Sequence, residues 1–513
     1  MSETSAVLDN PPRSGSALEP VKALLINPPS PDLHCPLGLA YIAAVVRDEF
    51  PVKLVQLEAS VAQAGDAPSY FMYRQYHVQG VHVIERCIEK EGFNVIGLTG
   101  LTYQANFNYA LARHLKAKYP WITVLYGGIH ATFCYKEALA SGAVDVVCVR
   151  EGEYTFQDLL RSIRSGEKDW SRIDGIAYRD EQGQVQITPH RKVGDINELP
   201  FPAKDLIPIY GFERTIVDGP GAEADGTTPA KANPYGLYGI LGEMLFSRGC
   251  PADCDFCGSP QFYLRKFRCR TPELIVAELK HCIENFGLKH FSIVDDVFTL
   301  NHKIMRVFCE LVKPLKITWT CLARADHMDL EMIQLIKRAG CIMVSYGVES
   351  GSQRVLDQEH KNQDVDHVKD VFRWHREAGL PATALMIVGH AGETVADLQA
   401  SYEYLKSLQP FAIVCQMMTP YPGTRLFDEV AEKAGTILTR DWDEYIRTQE
   451  PIFLTNSLTR EELLYWNQQI KSLVQGWRPF LGRAWTVGKL LKTRLLDRDF
   501  LRFTVGYLVT PKA

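Results

Sequence analysis

Short apolar runs alternate with helix-length amphipathic stretches twice along this chain, and that alternation admits little besides parallel sheets flanked by helices. The first series begins at Val21: VKALLIN, LGLAYIAAVVRDEF, VKLVQLE, NVIGLTG, WITVLYGG and VDVVCVREGE, with helical patterns starting near Asn106, Tyr135 and Tyr154. Five strands with intervening helices predict an α/β fold with a doubly wound five-stranded parallel sheet over residues 21–170. In such a sheet the ligand sits beyond the carboxyl ends of the strands. Those ends carry Asn27-Pro28-Pro29, Thr99-Gly100-Leu101-Thr102, Gly127-Gly128-Ile129-His130 and Arg150-Glu151-Gly152-Glu153. Glycines there let a ligand approach the backbone, and hydroxyls and amides can bind its polar substituents; glycine that merely ends a strand is the competing reading.

Residues 173–189 read as a hairpin turning at Gln182-Gly183, ELPFPAKDLIP as a connector, and the Gly- and Ala-rich stretch 218–236 as a surface loop. Together they predict a hairpin and linker over 171–236. The second series, EMLFS, HFSIV, ITWTCLA, IMVSYGV, ATALMIV and AIVCQMM, predicts a partial (β/α)6 barrel over 237–435. Its reactive face lies at the strand carboxyl ends. Thr271-Pro272-Glu273 opens its first helix and Gly287 stops it.

With 513 residues, two or three domains are expected. Residues 1–20 lack the basic start and apolar run of a signal peptide and read as a disordered polar leader. No apolar stretch approaches the ~18 residues of a membrane span, so a cytoplasmic protein is expected. A net charge of -5 gives no bias toward nucleic acid. Residues 436–513 predict a helical C-terminal region that includes the amphipathic TREELLYWNQQIKSLVQGW. Residues 478–505 then mix seven Lys or Arg with Phe480, Trp485, Phe500 and Phe503. That composition suits a helical cap with a solvated basic face, or a contact with a membrane surface or a large apolar substrate.

Thirteen cysteines without an export signal read as reduced thiols and metal ligands. Cys87, Cys148, Cys282, Cys309, Cys341 and Cys415 sit among apolar neighbours and predict inert core thiols. In SRGCPADCDFCGSP, by contrast, Cys250, Cys254 and Cys257 form a C-x3-C-x2-C set just after the first strand of the second series. A four-iron cluster ordinarily has four ligands, so three thiolates leave one iron for another group. Zinc is the metal-binding alternative, although no fourth Cys or His lies at the usual short spacing. Cys269, the nearest spare thiol, leaves a four-thiolate site or a disulfide open.

This motif, with Phe256 before the third cysteine, resembles the radical S-adenosylmethionine superfamily. The resemblance implies a [4Fe-4S] cluster whose unique iron is chelated by the amino and carboxylate groups of S-adenosylmethionine. One electron, from an external donor such as flavodoxin or ferredoxin, then yields a 5′-deoxyadenosyl radical that abstracts a hydrogen atom. It also implies that Phe256 contacts adenine, that Asp295 and Asp296 stand where the methionine amine is met, and that Glu349 binds ribose. The usual Gly-Gly-Glu form is absent at Asp295-Asp296. Gly389, Gly392 and Glu393 resemble the glycine-containing strand end near adenine, and Arg324 would line the same cavity. Packing for Phe256, a helix-terminal carboxylate for Glu349 and a surface salt bridge for Arg324 are the competing roles.

In the first series NPP, LGLAYIAAVVR, LTGLTYQANF, GGIHATF and VREGEYTF are similar to the cobalamin-binding domain fused to this barrel in one large subfamily. That similarity implies cobalamin bound near Thr99, Thr102, Gly127, Gly128, His130 and Glu151, with His130 making polar contacts rather than ligating cobalt. In Asp32-Leu33-His34 the following Gly38 falls one residue late for the motif that supplies a lower cobalt ligand, so no such ligation is expected. The implied reaction is methylation of an unactivated carbon of a small-molecule, lipid or tetrapyrrole-like substrate. Oxidative cyclisation of the anaerobic cyclase type is the alternative. A non-catalytic zinc or cobalamin sensor would predict no S-adenosylmethionine site.

Overall fold

The run ALLIN forms β1 (Ala23–Asn27), whose first four residues are buried, as a strand covered by helices on both faces must be. The computed structural model describes residues 20–30, 34–57, 77–167, 169–207, 241–429, 435–446 and 450–473. Most of the polar leader, the 218–236 loop and the basic, aromatic stretch at 478–505 lie outside the described residues.

β1 pairs in parallel with β2 (Val52–Gln56) on one side and β3 (Val95–Leu98) on the other, followed by β4 (Thr123–Tyr126) and β5 (Val146–Cys148). The five predicted parallel strands are present, but the sheet has seven, in the order β2-β1-β3-β4-β5-β6-β7. The two additions are the predicted hairpin, β6 (Ile176–Arg179) and β7 (Val185–Ile187), turning with Gly183 at φ +77. β6 docks antiparallel on the free edge of β5 and buries Ile176 and Ala177 completely. An edge strand with unpaired amides is a template for such an addition.

The second series opens with β8 (Glu243–Met244). A two-strand antiparallel ribbon follows, β9 (Ser247–Arg248) against β10 (Arg268–Cys269). β11 (His290–Ile293), β12 (Thr318–Ala323), β13 (Cys341–Glu349), β14 (Ala382–Val388) and β15 (Ala412–Met417) complete a six-stranded sheet in the order β8-β11-β12-β13-β14-β15. Every pairing in it is parallel, as the (β/α)6 reading requires. The helix Pro272–Phe286 starts and stops where its caps predict, with Thr271 accepting from the Leu274 amide and Gly287 left-handed at φ +68.

The two sheets share one core. The helix Leu37–Val46 (LGLAYIAAVV) is apolar almost all round, which suits an element buried on more than one side. Its Leu39, Ala40 and Ala43 belong to one apolar cluster with Leu25 of β1 and with Met244 and Phe246 of the barrel. Its Tyr41 hydroxyl donates to the Leu245 carbonyl.

The C-terminal region is not simply helical. β16 (Gly435–Ile437) and β17 (Phe453–Thr455) form an antiparallel pair, and the segment between them returns to the first sheet. Trp442, Tyr445 and Ile452 there join the core that contains Tyr109, Tyr126 and Ala131. Asn106 donates to Asp441 at 2.6 Å and the Trp442 indole to Glu137 at 2.7 Å. The predicted amphipathic helix runs Arg460–Ser472, starts with a Thr459/Glu462 capping box, and buries Leu463, Trp466 and Ile470.

All six predicted core cysteines are buried, and every described cysteine is free. Among the described residues no helix is long and apolar enough to cross a membrane.

Two buried histidines give the fold an acid limit. Burial lowers His130 and His375 from 6.5 to about 4. His375 is held neutral between the Tyr346 hydroxyl and the Leu380 carbonyl. A folded value below the unfolded one means that the unfolded chain takes up the proton first, so stability falls as pH drops from 6.5 toward 4. Each site is expected to withdraw about 3 kcal/mol over that window. Urea unfolding at pH 7 and at pH 5 checks this, and a His375→Gln variant should show a shallower pH dependence than the wild-type chain.

Candidate active site

The three-thiol loop leaves β9 through Gly249, which adopts φ +85. A Cβ at this position would lie 2.2 Å from the Lys266 carbonyl oxygen, so only glycine lets the strand turn under the neighbouring loop. Cys250 and Cys254 are buried and Cys257 half-buried. Burial raises the Cys250 thiol and pushes that of Cys257 up to about 12, so a bound metal is what would hold such groups as thiolates.

Arg324 stands beside this loop, with Nη1 3.7 Å from Cys254 Sγ. Its Nη2 donates to the Lys361 carbonyl at 2.6 Å and to Asp326 at 2.7 Å. It is buried, which removes the surface salt-bridge reading, and a guanidinium facing sulfur fits a ligating thiolate. Among the described residues no three His, Cys, Asp or Glu side chains converge on a single-ion site. The donor set is one of three thiols, Cys250, Cys254 and Cys257, carried on a single loop, a set that suits the corners of an iron–sulfur cluster. Cys269 sits in β10 opposite Ser247 and remains free.

Asp295 and Asp296 take different roles. The carboxylate of Asp295 is wholly buried and accepts from the amides of Phe246 and Ser247 at 2.8 and 2.6 Å, and from the Ser247 hydroxyl at 2.5 Å. Burial pushes it up to about 7 against those donors. Both oxygens are committed to the approach of the cysteine loop, which corrects the expectation that Asp295 faces the methionine amine. Asp296 is the exposed member of the pair and accepts from Ser259 just past Cys257.

Glu349 ends β13 with φ +63, a left-handed conformation rare for a side chain of this size and characteristic of functional sites. It accepts from the buried Lys361 ammonium at 2.9 Å. Lys361 was not anticipated, because it lies in an irregular turn without a motif.

Phe256 meets His390 edge to face, with centroids 6.0 Å apart. His390 Nδ1 lies 3.3 Å from Glu359, and Glu393 accepts from the amides of Gly389 and His390. Burial favours a neutral ring, but Glu359, Glu393 and Glu349 outweigh it and raise the proton affinity of His390. Beyond that ion pair, Glu359 Oε2, His390 Nε2 and Glu393 Oε1 are buried without a hydrogen-bond partner. Gly389 and Gly392 both carry positive φ at this strand end. Orphaned polar atoms beside an aromatic ring and a cysteine loop fit a ligand with cationic and polar groups.

At the carboxyl ends of the first sheet, Thr99, Gly127, Gly128 and Glu151 line a cavity closed from the barrel side by Leu245, Arg248, Phe262 and Tyr263. Gly128 adopts φ +93, and a Cβ there would lie 2.8 Å from Thr99 Oγ1. Thr132 locks the same loops, donating to the Gly128 carbonyl and accepting from the Arg150 amide, each at 2.8 Å.

Two predicted corrin neighbours are not on this wall. Thr102 is buried at the start of a short turn, where Gln104 fastens the Pro28-Pro29 loop. His130 is turned into the core, bonded to the Tyr109 hydroxyl at 3.1 Å and covered by Trp442. The physical reason is the returning segment near Trp442, which makes that face of the helix Ile129–Phe133 an interior one. Nor does the carboxylate of Glu151 hang free, since Arg248 and Arg268 engage it. His34 is paired with Glu243 of β8 at 2.9 Å.

Residues 26–160 match the B12 binding domain, and residues 244–405 match the radical SAM superfamily. The chain belongs to the cobalamin-binding radical S-adenosylmethionine enzymes. It is 29% identical over 432 residues to an uncharacterized methyltransferase of Pyrococcus horikoshii, a match covering 83% of this chain and 85% of that one. It is 27% identical to the anaerobic magnesium-protoporphyrin IX monomethyl ester cyclase of Rubrivivax gelatinosus, covering 72% and 64%. The solved structure of the radical S-adenosylmethionine methyltransferase TsrM from Kitasatospora setae, with cobalamin and a [4Fe-4S] cluster bound, has the same fold. It aligns with TM-score 0.64 at 15% identity, over 88% of this chain and 89% of that one. As a cobalamin-binding radical SAM enzyme the chain uses a [4Fe-4S] cluster, S-adenosylmethionine and cobalamin.

Proposed function

We propose that this enzyme methylates an unactivated carbon of a small biosynthetic molecule. The observation that carries the reading is the shared wall: Arg248, Phe262 and Tyr263, which flank the cysteine loop, also close the cavity at the strand ends of the B12-binding sheet. When bound, the cluster with S-adenosylmethionine supplies hydrogen abstraction, and cobalamin supplies a transferable methyl group. The protein's part is to bring both to one interface and keep water out of it.

In this reading Cys250, Cys254 and Cys257 hold the cluster, with Arg324 offsetting thiolate charge at Cys254. Asp296 receives the methionine amine and Glu349, steadied by Lys361, the ribose. Phe256 packs against adenine, and Gly389 leaves room for it. Thr99, Gly127 and Gly128 provide the close, polar approach that a corrin edge needs. The division we propose is a cobalamin-binding domain at 21–170, a hairpin and linker at 171–236, a barrel at 237–435 and a C-terminal region at 436–513.

An external one-electron donor such as flavodoxin or ferredoxin and a cytoplasmic, reducing setting belong to the same proposal, in keeping with the free thiols. The cyclase relative motivates a second reading, oxidative cyclisation without net methyl transfer.

The test is anaerobic incubation of the reconstituted chain with S-adenosylmethionine, cobalamin and a strong reductant, following 5′-deoxyadenosine and S-adenosylhomocysteine. Both products together are expected. Deoxyadenosine alone, with magnesium-protoporphyrin IX monomethyl ester supplied, favours cyclisation. A preparation that holds zinc and never binds four irons removes the reading.

A further inference from the structure

The loop 149–153 borders the cavity at the strand ends of the first sheet, yet its charged side chains are spent on the barrel. Arg150, at φ +71, donates to the carbonyls of Gln261 and Phe262, just past Cys257. Glu151 pairs Oε1 with Arg248 Nη1 and Oε2 with Arg268 Nη2, both at 2.6 Å. Glu153 takes the other Arg248 terminal nitrogen, also at 2.6 Å. Arg248 further lies over the Tyr41 ring of the interface helix, 5.1 Å from its centroid.

The two arginines are direct partners across the β9/β10 ribbon. Like charges placed opposite each other on a strand pair repel, so this ribbon depends on carboxylates to hold it closed. Both carboxylates come from the B12-binding half, and the ribbon is the stem from which the cysteine loop springs, Arg248 being two residues before Cys250. The network is mostly buried, where a charge left without its partner is costly.

We propose that Glu151 and Glu153 are positioning residues which, through Arg248 and Arg268, couple cobalamin binding to S-adenosylmethionine binding at the cluster. Filling the cavity fixes the loop, the loop fixes the stem, and the stem sets the cysteines. By linkage, S-adenosylmethionine must then tighten cobalamin by the same factor. The inference rests on the cofactor assignment above.

The experiment measures the dissociation constant of S-adenosylmethionine on the cluster-loaded chain with and without hydroxocobalamin, together with the electron paramagnetic resonance spectrum of the reduced cluster. In the wild-type chain cobalamin is expected to tighten S-adenosylmethionine by about fivefold or more and to shift the cluster spectrum. Arg268→Gln, at a residue off the cavity wall, should keep four irons and one cobalamin but bring the ratio close to one. Arg268→Lys, which keeps the charge, should retain most of the coupling. A wild-type ratio near one, or an Arg268→Gln ratio equal to that of the wild type, overturns the proposal. Loss of cobalamin from Arg268→Gln also overturns it, because the ribbon would then support the cobalamin site itself. A wild-type chain that binds no cobalamin at all removes the cofactor assignment along with the coupling.

Discussion

Replacing Cys254 with alanine is expected to abolish deoxyadenosine formation, down to the level seen without protein, while leaving one cobalamin bound per chain. With two thiolates the loop cannot hold a four-iron cluster at its ordinary ligand count. The Arg324 guanidinium would also face a methyl group instead of sulfur, while keeping Asp326 and the Lys361 carbonyl as partners. The B12-binding cavity does not include Cys254, so its occupancy should survive. Iron analysis and the corrin absorption spectrum of the same sample separate the two effects. A variant that keeps four irons and cleaves S-adenosylmethionine would sink the assignment of this cysteine.

The second large effect comes from a residue that ligates nothing. Gly249→Ala is expected to lower cluster occupancy to less than half, although all three cysteines remain. A left-handed residue with a side chain costs on the order of 1–3 kcal/mol by itself. Here the added carbon also meets a backbone oxygen that has no rotamer by which to move aside. Relief requires displacing either the stem of the cysteine loop or the turn at Lys266 that packs on it. Iron content after reconstitution and the shape of the cluster spectrum report this, with cobalamin retention as the internal control. Full iron loading with an unchanged spectrum would show that the loop tolerates the shift.

What could be read from the sequence was whatever is written locally. Three thiols within eight positions, a capped helix at Thr271-Pro272 and alternating apolar runs are properties of neighbours along the chain, so the cluster loop and both sheets were legible. Contacts between distant segments were not. Nothing in GGIHAT says that Trp442, more than 300 positions later, will cover His130 and turn it inward. Adjacent aspartates look alike in sequence, yet past the end of β11 one carboxylate is buried on the Ser247 amide and the other, exposed, accepts from Ser259. Arg150 and Arg248 lie inside motifs already singled out, VREGE and SRGC, but their partners are about a hundred residues away. Lys361 and Glu359 carry no motif, and only their burial beside Glu349 and His390 marks them.

The return of the chain to its first sheet bears on how such enzymes can be taken apart. The radical SAM match stops at residue 405, and β15 ends at Met417, so cutting there looks natural on the page. Yet Trp442, Tyr445 and Ile452 complete the interior of the opposite half. A chain shortened after the last barrel strand would expose that interior, and an N-terminal half transplanted alone would lack three of its own packing residues. In this chain the two halves therefore belong together as a pair, laced by the segment that follows them.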